Sequence, residues 1–147
     1  MTDGGILLVE DNADDETLTL RALAKHHLAN RVVVVRDGAA AVAHLLGTAG
    51  TAGADPLPTV VLLDLKLPKL DGIEVLRRIR AAPRTRRLPV IILTSSREDR
   101  DLVAAYDGGA NSYVRKPVDF GEFLEAIGRL GLYWLVVNEA PPESRQP

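Results

Sequence analysis

The chain has 147 residues, 46% of them apolar and 26% charged, with no cysteine and a formal net charge of −2. That composition fits about one globular domain and excludes a disordered chain, a collagen, a disulfide scaffold, a thiolate metal site and a cysteine nucleophile. No apolar run approaches the ~18 residues of a membrane span, Met1-Thr2-Asp3-Gly4-Gly5 lacks a leader pattern, and the charge gives no general pull toward nucleic acid or anionic lipid, so a cytoplasmic address is expected.

Gly5-Ile6-Leu7-Leu8-Val9 is a short apolar run closed by Glu10 and Asp11, and it reads as a buried strand. Asp11 or Asn12 can cap the next helix, and Asp14, Asp15 and Glu16 give its first turn the negative charge that the helix dipole favours. Leu18, Leu20, Ala22, Leu23 and Leu28 carry its apolar face to about His27. Val32 to Val35 predicts a second buried strand, and Asp37-Gly38 turns into a helix bearing Ala39, Val42, Ala43, Leu45 and Leu46. Residues 47–58 lack periodicity and predict a flexible loop.

Thr59 to Leu63 reads as a third buried strand, closed by Asp64. Pro68 and Asp71-Gly72 shape a turn into a helix marked by Ile73, Val75, Leu76 and Ile79. Arg77, Arg78, Arg80, Arg84, Arg86 and Arg87 read as the solvated face of that helix and its following loop, not as a nucleic-acid patch. Pro89 to Leu93 is a fourth strand, stopped by Thr94-Ser95-Ser96. Glu98 to Asp107 predicts a helix with Leu102, Val103 and Tyr106 on its apolar side, and Asn111 to Val114 a fifth strand followed by Arg115-Lys116-Pro117. Asp119 caps a last helix containing Phe123, Leu124, Ile127 and Leu130. Residues 1–137 are read as a single domain with an extended C-terminal helix, and 138–147, polar and Pro-rich, as a disordered tail.

Strands that are apolar throughout are buried on both faces, so the alternation predicts an α/β doubly wound, five-stranded parallel sheet. Ligands in such sheets bind outside the C-terminal strand ends. Glu10 and Asp11, Asp64, Thr94 and Ser95, and Lys116 all fall at that edge, whereas loop 47–58 falls at the opposite one. His26, His27 and His44 lie on helix segments away from it.

Any one acid after a strand is ordinarily a cap, but three together repel one another by about 4 kcal/mol per pair at 4 Å and an effective dielectric of 20. A hard divalent cation relieves that repulsion, and an open set of oxygen ligands suits Mg²⁺. Add Thr94 and Lys116 and the set can transfer a phosphoryl group. Cations neutralise the phosphoryl oxygens while a carboxylate attacks and becomes an acyl phosphate.

Four segments, Leu8-Val9-Glu10-Asp11-Asn12, Leu63-Asp64-Leu65-Lys66-Leu67-Pro68 with Asp71-Gly72, Leu93-Thr94-Ser95 and Tyr113-Val114-Arg115-Lys116-Pro117, together resemble the response-regulator receiver domains of two-component signalling, over about residues 4–130. The resemblance implies a flavodoxin-like (βα)5 fold with strand order 2-1-3-4-5. It implies that Asp64 is the phosphoacceptor, that Asp11, Asp64 and the backbone carbonyl of Lys66 bind Mg²⁺, and that the Glu10 carboxylate helps. Thr94 and Lys116 would bond the phosphoryl oxygens, and Tyr113 would be the aromatic that swings inward when the threonine moves. A cis bond before Pro117 is implied as well. The protein is then a signalling phosphoacceptor that phosphorylates and dephosphorylates itself, not a conventional enzyme. Phosphorylation would bias the surface of the fourth helix, fifth strand and fifth helix.

Glu10 departs from the usual pair of aspartates, Ser95 stands where a smaller residue is common, and Lys66 lies beside the site where it can alter acyl-phosphate hydrolysis. A flavodoxin would need a small polar phosphate loop where Glu10 to Asp15 stand, and an aspartyl phosphatase an acid where Lys66 stands. The remaining rival is a receiver-like dimerisation module that is not phosphorylated.

Gly131 to Val137 is rich in Tyr, Trp, Leu and Val, which predicts a homodimer through Tyr133, Trp134 and Val137. This ending, Glu10-Asp11-Asn12 and Leu18 to Leu23 together resemble the stand-alone response regulators paired with phytochrome-type histidine kinases. That resemblance implies such a sensor kinase as phosphoryl donor, while the charge and the apolar pattern lead us to expect neither nucleic acid nor membrane as partner.

Overall fold

The computed structural model describes residues 5–25, 32–54 and 56–116, together with Gly121, Glu122, Glu125 and Arg129. Nine elements alternate along it: β1 (Ile6–Val9), α1 (Ala13–Lys25), β2 (Val32–Val35), α2 (Gly38–Leu46), β3 (Val60–Leu63), α3 (Gly72–Ala81), β4 (Val90–Thr94), α4 (Asp99–Asp107) and β5 (Ser112–Arg115). All strand pairs are parallel and the sheet order is β2-β1-β3-β4-β5, as expected. Element ends fall within two residues of the sequence reading, and Thr94 belongs to β4 itself. Glu122, Glu125 and Arg129 are helical, and Arg129 bonds Glu125 at 2.7 Å.

Side-chain alternation splits the core between the two sheet faces. Leu7, Val9, Val61, Leu63, Val90 and Ile92 meet Ala41 and Leu45 of α2, Val75, Leu76 and Ile79 of α3, and Ala105 of α4. Ile6, Leu8, Val60, Leu62, Ile91 and Leu93 meet Ala22 and Leu23 of α1. Each fully buried Leu, Ile or Val side chain contributes about 1.5–3 kcal/mol relative to exposure. The three central strands therefore anchor the scaffold and fix where it ends.

Three expectations need correction. Val32 to Val35 is not a buried strand: β2 has a neighbour on one side only, and Val33 is 45% exposed. The arginines are not all solvated. Arg80 turns inward and donates to the carbonyls of Gly109 (2.7 and 2.9 Å) and Leu88 (2.6 Å) and to Asn111 Oδ1 (2.9 Å). Arg84 donates to the Ala54 carbonyl at 2.5 Å. These contacts satisfy carbonyls that no sheet or helix ladder reaches. The stretch after α2 is also not without local structure. Thr48 and Thr51 form an antiparallel bridge at 2.8 and 3.0 Å, with Gly47 and Gly50 at φ +83° and +86° supplying the left-handed conformation. Pro117 and its peptide bond, residues 138–147, His26 and His27 lie outside the described residues.

Candidate functional site

Strand register assembles the site. Val9 pairs with both Val35 and Leu63, so Glu10 and Asp64 leave adjacent strands side by side. The backbone continues the ladder past the strand ends: Glu10 N–H donates to the Val35 carbonyl at 3.0 Å and Asp64 N–H to the Val9 carbonyl at 3.1 Å. On the other side Thr94 pairs with Arg115, and Lys116 N–H donates to the Thr94 carbonyl at 2.8 Å. Leu8 and Val114 pack on the α1 side of the sheet. Two residues further along their strands, Glu10 and Lys116 fall on that same side.

The result is a buried ion cluster. Lys116 Nζ donates to Glu10 Oε1 at 2.6 Å, Asp15 Oδ2 at 2.8 Å and Asp64 Oδ2 at 3.1 Å. The Glu10 and Lys116 side chains are 1% and 7% exposed, Asp64 10% and Asp15 32%. Asp64 Oδ1 accepts from Lys66 N–H at 3.2 Å, and Glu10 Oε2 from Asn12 N–H at 3.3 Å. One ammonium thus serves three carboxylates. Burial works against its charge, but the hydrogen bonds it donates to Asp15 and Glu10 and the field of Asp64 outweigh it, so Lys116 stays protonated well above its ordinary value. Glu10 shows the surplus of negative charge: burial, aided by Asp64, pushes its carboxyl up to about 7 although Lys116 opposes this.

The sign of that shift sets a pH dependence. Metal-free folded protein holds the Glu10 proton up to about pH 7, whereas the ordinary value is 4.5. The folded state therefore binds more protons in that window, and stability falls as pH rises through it. Urea unfolding in EDTA at pH 5 and pH 7.5 should show the loss, and Glu10→Gln should flatten it. An unchanged slope in Glu10→Gln would place its origin elsewhere.

Each of Glu10, Asp11 and Asp64 offers a carboxylate oxygen, and these lie within 4.8 Å of one another. Asp11 is exposed, so a cation held there would keep access to water. Hard oxygen donors of this number and openness fit Mg²⁺.

The rim belongs to the β4–α4 loop. Thr94 is fully buried and its Oγ1 accepts from Ser96 N–H at 3.3 Å, while Ser95 is exposed. The Lys66 ammonium turns from Asp64 to Asp101 of α4 at 3.3 Å, and Ser96 Oγ donates to the same carboxylate. Arg115 closes the loop from the opposite side, donating to the Ser96 carbonyl at 3.3 Å, with its guanidinium 5.9 Å from the Tyr113 ring centroid. Tyr113 packs against the α2–α3–α4 core, its hydroxyl buried and without a hydrogen-bond partner among the described residues.

The structure therefore brings Glu10, Asp11, Asp64 and Lys116 together with the Lys66 backbone beside them, and it leaves Thr94 at the end of β4 and Tyr113 on β5 without a side-chain hydrogen bond to the cluster among the described residues. Sequence reasoning missed Asp15 as a partner of Lys116. Its position in the first turn of α1, directly after the acid pair, was the available signal. Tyr133, Trp134 and Val137, expected at a dimer interface, lie outside the described residues. Among the described residues no helix is long and apolar enough to cross a membrane.

The chain is 43% identical to a probable methanogenesis regulatory protein, FilR2 of Methanothrix harundinacea, over 92% of its own length and 86% of the relative's. It is 36% identical to the response regulator Rcp1 of Synechocystis sp., over 92% of each chain. The Mn²⁺-bound crystal structure of Rcp1 superposes with a TM-score of 0.80, covering 95% of this chain and 99% of that one. The phosphorylated cyanobacterial phytochrome response regulator RcpA superposes with a TM-score of 0.85 at 34% identity, over 96% and 100% of the two chains. Residues 6–128, which contain the whole sheet and the whole ion cluster, match the response regulator receiver domain, and the chain belongs to that family.

Proposed function

We propose that this protein accepts a phosphoryl group on Asp64 from a partner histidine kinase of phytochrome type, in a Mg²⁺-dependent reaction, and signals through the surface around α4 and β5. The carrying observation is the Asp64 carboxylate, buried at a strand end with Lys116 Nζ 3.1 Å from one oxygen and Lys66 N–H 3.2 Å from the other. That carboxylate is fixed, ionisable and flanked by a cation at the place where a phosphoryl group would gather charge. The likeness to RcpA, a phytochrome response regulator, supports the kinase class, and the Mn²⁺-bound Rcp1 structure supports the cation.

In this reading an Asp64 oxygen forms the new O–P bond as the N–P bond of the donor histidine breaks, its electron pair staying on nitrogen. Lys116 then turns a proton to a phosphoryl oxygen, and the Thr94 hydroxyl moves from Ser96 N–H toward another. Glu10, Asp11, Asp64 and the Lys66 carbonyl would hold Mg²⁺, which would supply positive charge to the phosphoryl oxygens. Tyr113 already packs inward, so the expected inward swing gives way to an adjustment around its enclosed hydroxyl as the threonine moves.

Intact mass after incubation with acetyl phosphate and Mg²⁺ tests this. Wild type should gain one phosphoryl group, and Asp64→Asn, or wild type in EDTA, none. A wild type that gains no adduct and also fails to bind beryllofluoride would sink the reading.

A further inference from the structure

Lys116 has three protons and spends one on a residue outside the carboxylate set that can hold a cation. Its bond to Asp15, at 2.8 Å, is shorter than its bond to Asp64, at 3.1 Å. The Asp15 backbone is itself held in place. It stands in the first turn of α1, where its own N–H donates to Asn12 Oδ1 at 2.9 Å. Asn12 N–H in turn donates to Glu10 Oε2 at 3.3 Å, and Glu10 Oε1 takes another Lys116 proton at 2.6 Å. Glu10, Asn12, Asp15 and Lys116 thus form a closed ring of hydrogen bonds between the ends of β1 and β5 and the start of α1.

We infer that Asp15 is a positioning residue that restrains the Lys116 ammonium, drawing it toward α1 and away from Asp64, and so limits how tightly the site holds a phosphoryl group. The inference rests on the phosphoacceptor reading of Asp64. Glu10 and Asp64 belong to the cluster within ligand distance of Asp11, and Asp15 does not. A cation drawing on Glu10 and Asp64 weakens their claim on Lys116, and Asp15 alone keeps its full claim. A phosphoryl group on Asp64 must compete with that carboxylate for the ammonium.

The charge argument gives a two-signed test. Asp15→Asn keeps shape and length but removes one negative charge near the site. It should tighten beryllofluoride binding about three- to tenfold, a range set by one unit charge at several ångströms discounted for partial solvent exposure. The same change should weaken Mg²⁺ binding about threefold, because a cation loses what an anion gains. Calorimetry reads the Mg²⁺ affinity without beryllofluoride, and fluorine NMR reads beryllofluoride at saturating Mg²⁺. Asp15→Glu, which retains charge and reach, should restore both affinities toward wild type.

Loss of both affinities together in Asp15→Asn would mark Asp15 as merely structural, and no change in either would mark it as idle. Both results overturn the inference while leaving Asp64 as phosphoacceptor. A wild type that binds neither Mg²⁺ nor beryllofluoride would overturn the phosphoacceptor reading itself.

Discussion

Lys116→Met should destabilise the metal-free protein by about 3–5 kcal/mol at pH 8, and Mg²⁺ should return much of that loss. The figure is the usual cost of removing one partner from a buried ion pair and leaving the other charge behind. Here the residue left behind is Glu10, 1% exposed, with Asp64 beside it. Methionine preserves the packing of the lysine stem, so the change isolates the charge. A cation at Glu10, Asp11 and Asp64 offsets the same repulsion that the ammonium offsets. The loss should also shrink toward pH 6, because Glu10, already pushed up to about 7 beside the lysine, takes a proton more readily without it. Urea unfolding at pH 8 in EDTA and in Mg²⁺ reads the difference. An equal loss in both buffers would mean that Lys116 acts through packing and not through charge. Asp64→Asn should move the opposite way and stabilise the metal-free protein, since it removes one of three carboxylates competing for one ammonium. The acceptor is thus held against the stability of its own fold, a cost typical of functional carboxylates.

The sheet and the acidic edge were legible because they depend on periodicity. A run such as Val60-Val61-Leu62-Leu63, apolar on both faces and set among alternating helical patterns, reads as a strand of a parallel sheet, and the residue after it emerges at the C-terminal edge. Asp64 needed nothing more to be placed. Lys116 and Glu10 followed by the same count on β5 and β1. Features that depend on which neighbour arrives from elsewhere were not legible. Val32 to Val35 has the composition of a central strand, and only the sheet order makes it an edge. Arg80 and Arg87 look alike in sequence. What turns Arg80 inward is the backbone of Gly109 brought against it, where an added Cβ would lie 2.8 Å from the Arg80 Nε. Asp15 was read through its own helix, as charge complementing a dipole, while its partner stands 101 residues away. Local physics explained why an acid is tolerated at that position. Only the meeting of α1 with the end of β5 explained what it binds.

Gly72→Ala carries the second large expected effect, because it acts on the fold and on Asp64 together. Gly72 is the first residue of α3, and within a helix alanine ordinarily improves on glycine by about 1 kcal/mol. The surroundings reverse that sign. A Cβ on Gly72 would lie 2.3 Å from the Asp64 carbonyl oxygen and 2.6 Å from Leu65 Cα, both backbone atoms of the turn that leaves β3. Backbone cannot swing aside like a side-chain tip, so the turn itself must shift and the 2.9 Å bond from Gly72 N–H to the Leu65 carbonyl must lengthen. Overpacking of this kind costs about 3 kcal/mol. The shift falls on the acceptor: moving the Asp64 carbonyl displaces its carboxylate from Lys66 N–H and from Lys116. Mg²⁺ affinity should fall about tenfold beside the loss of stability, since such a site tolerates only small misplacement. Gly50→Ala is the matched control. It stands at φ +86° with open space around its Cβ, on the α2–β3 connection away from the C-terminal strand ends, so it should lose about 1–2 kcal/mol through backbone strain and leave Mg²⁺ affinity unchanged. Equal Mg²⁺ affinity in the two variants would show that the close approach of α3 to the end of β3 is not what holds Asp64 in place.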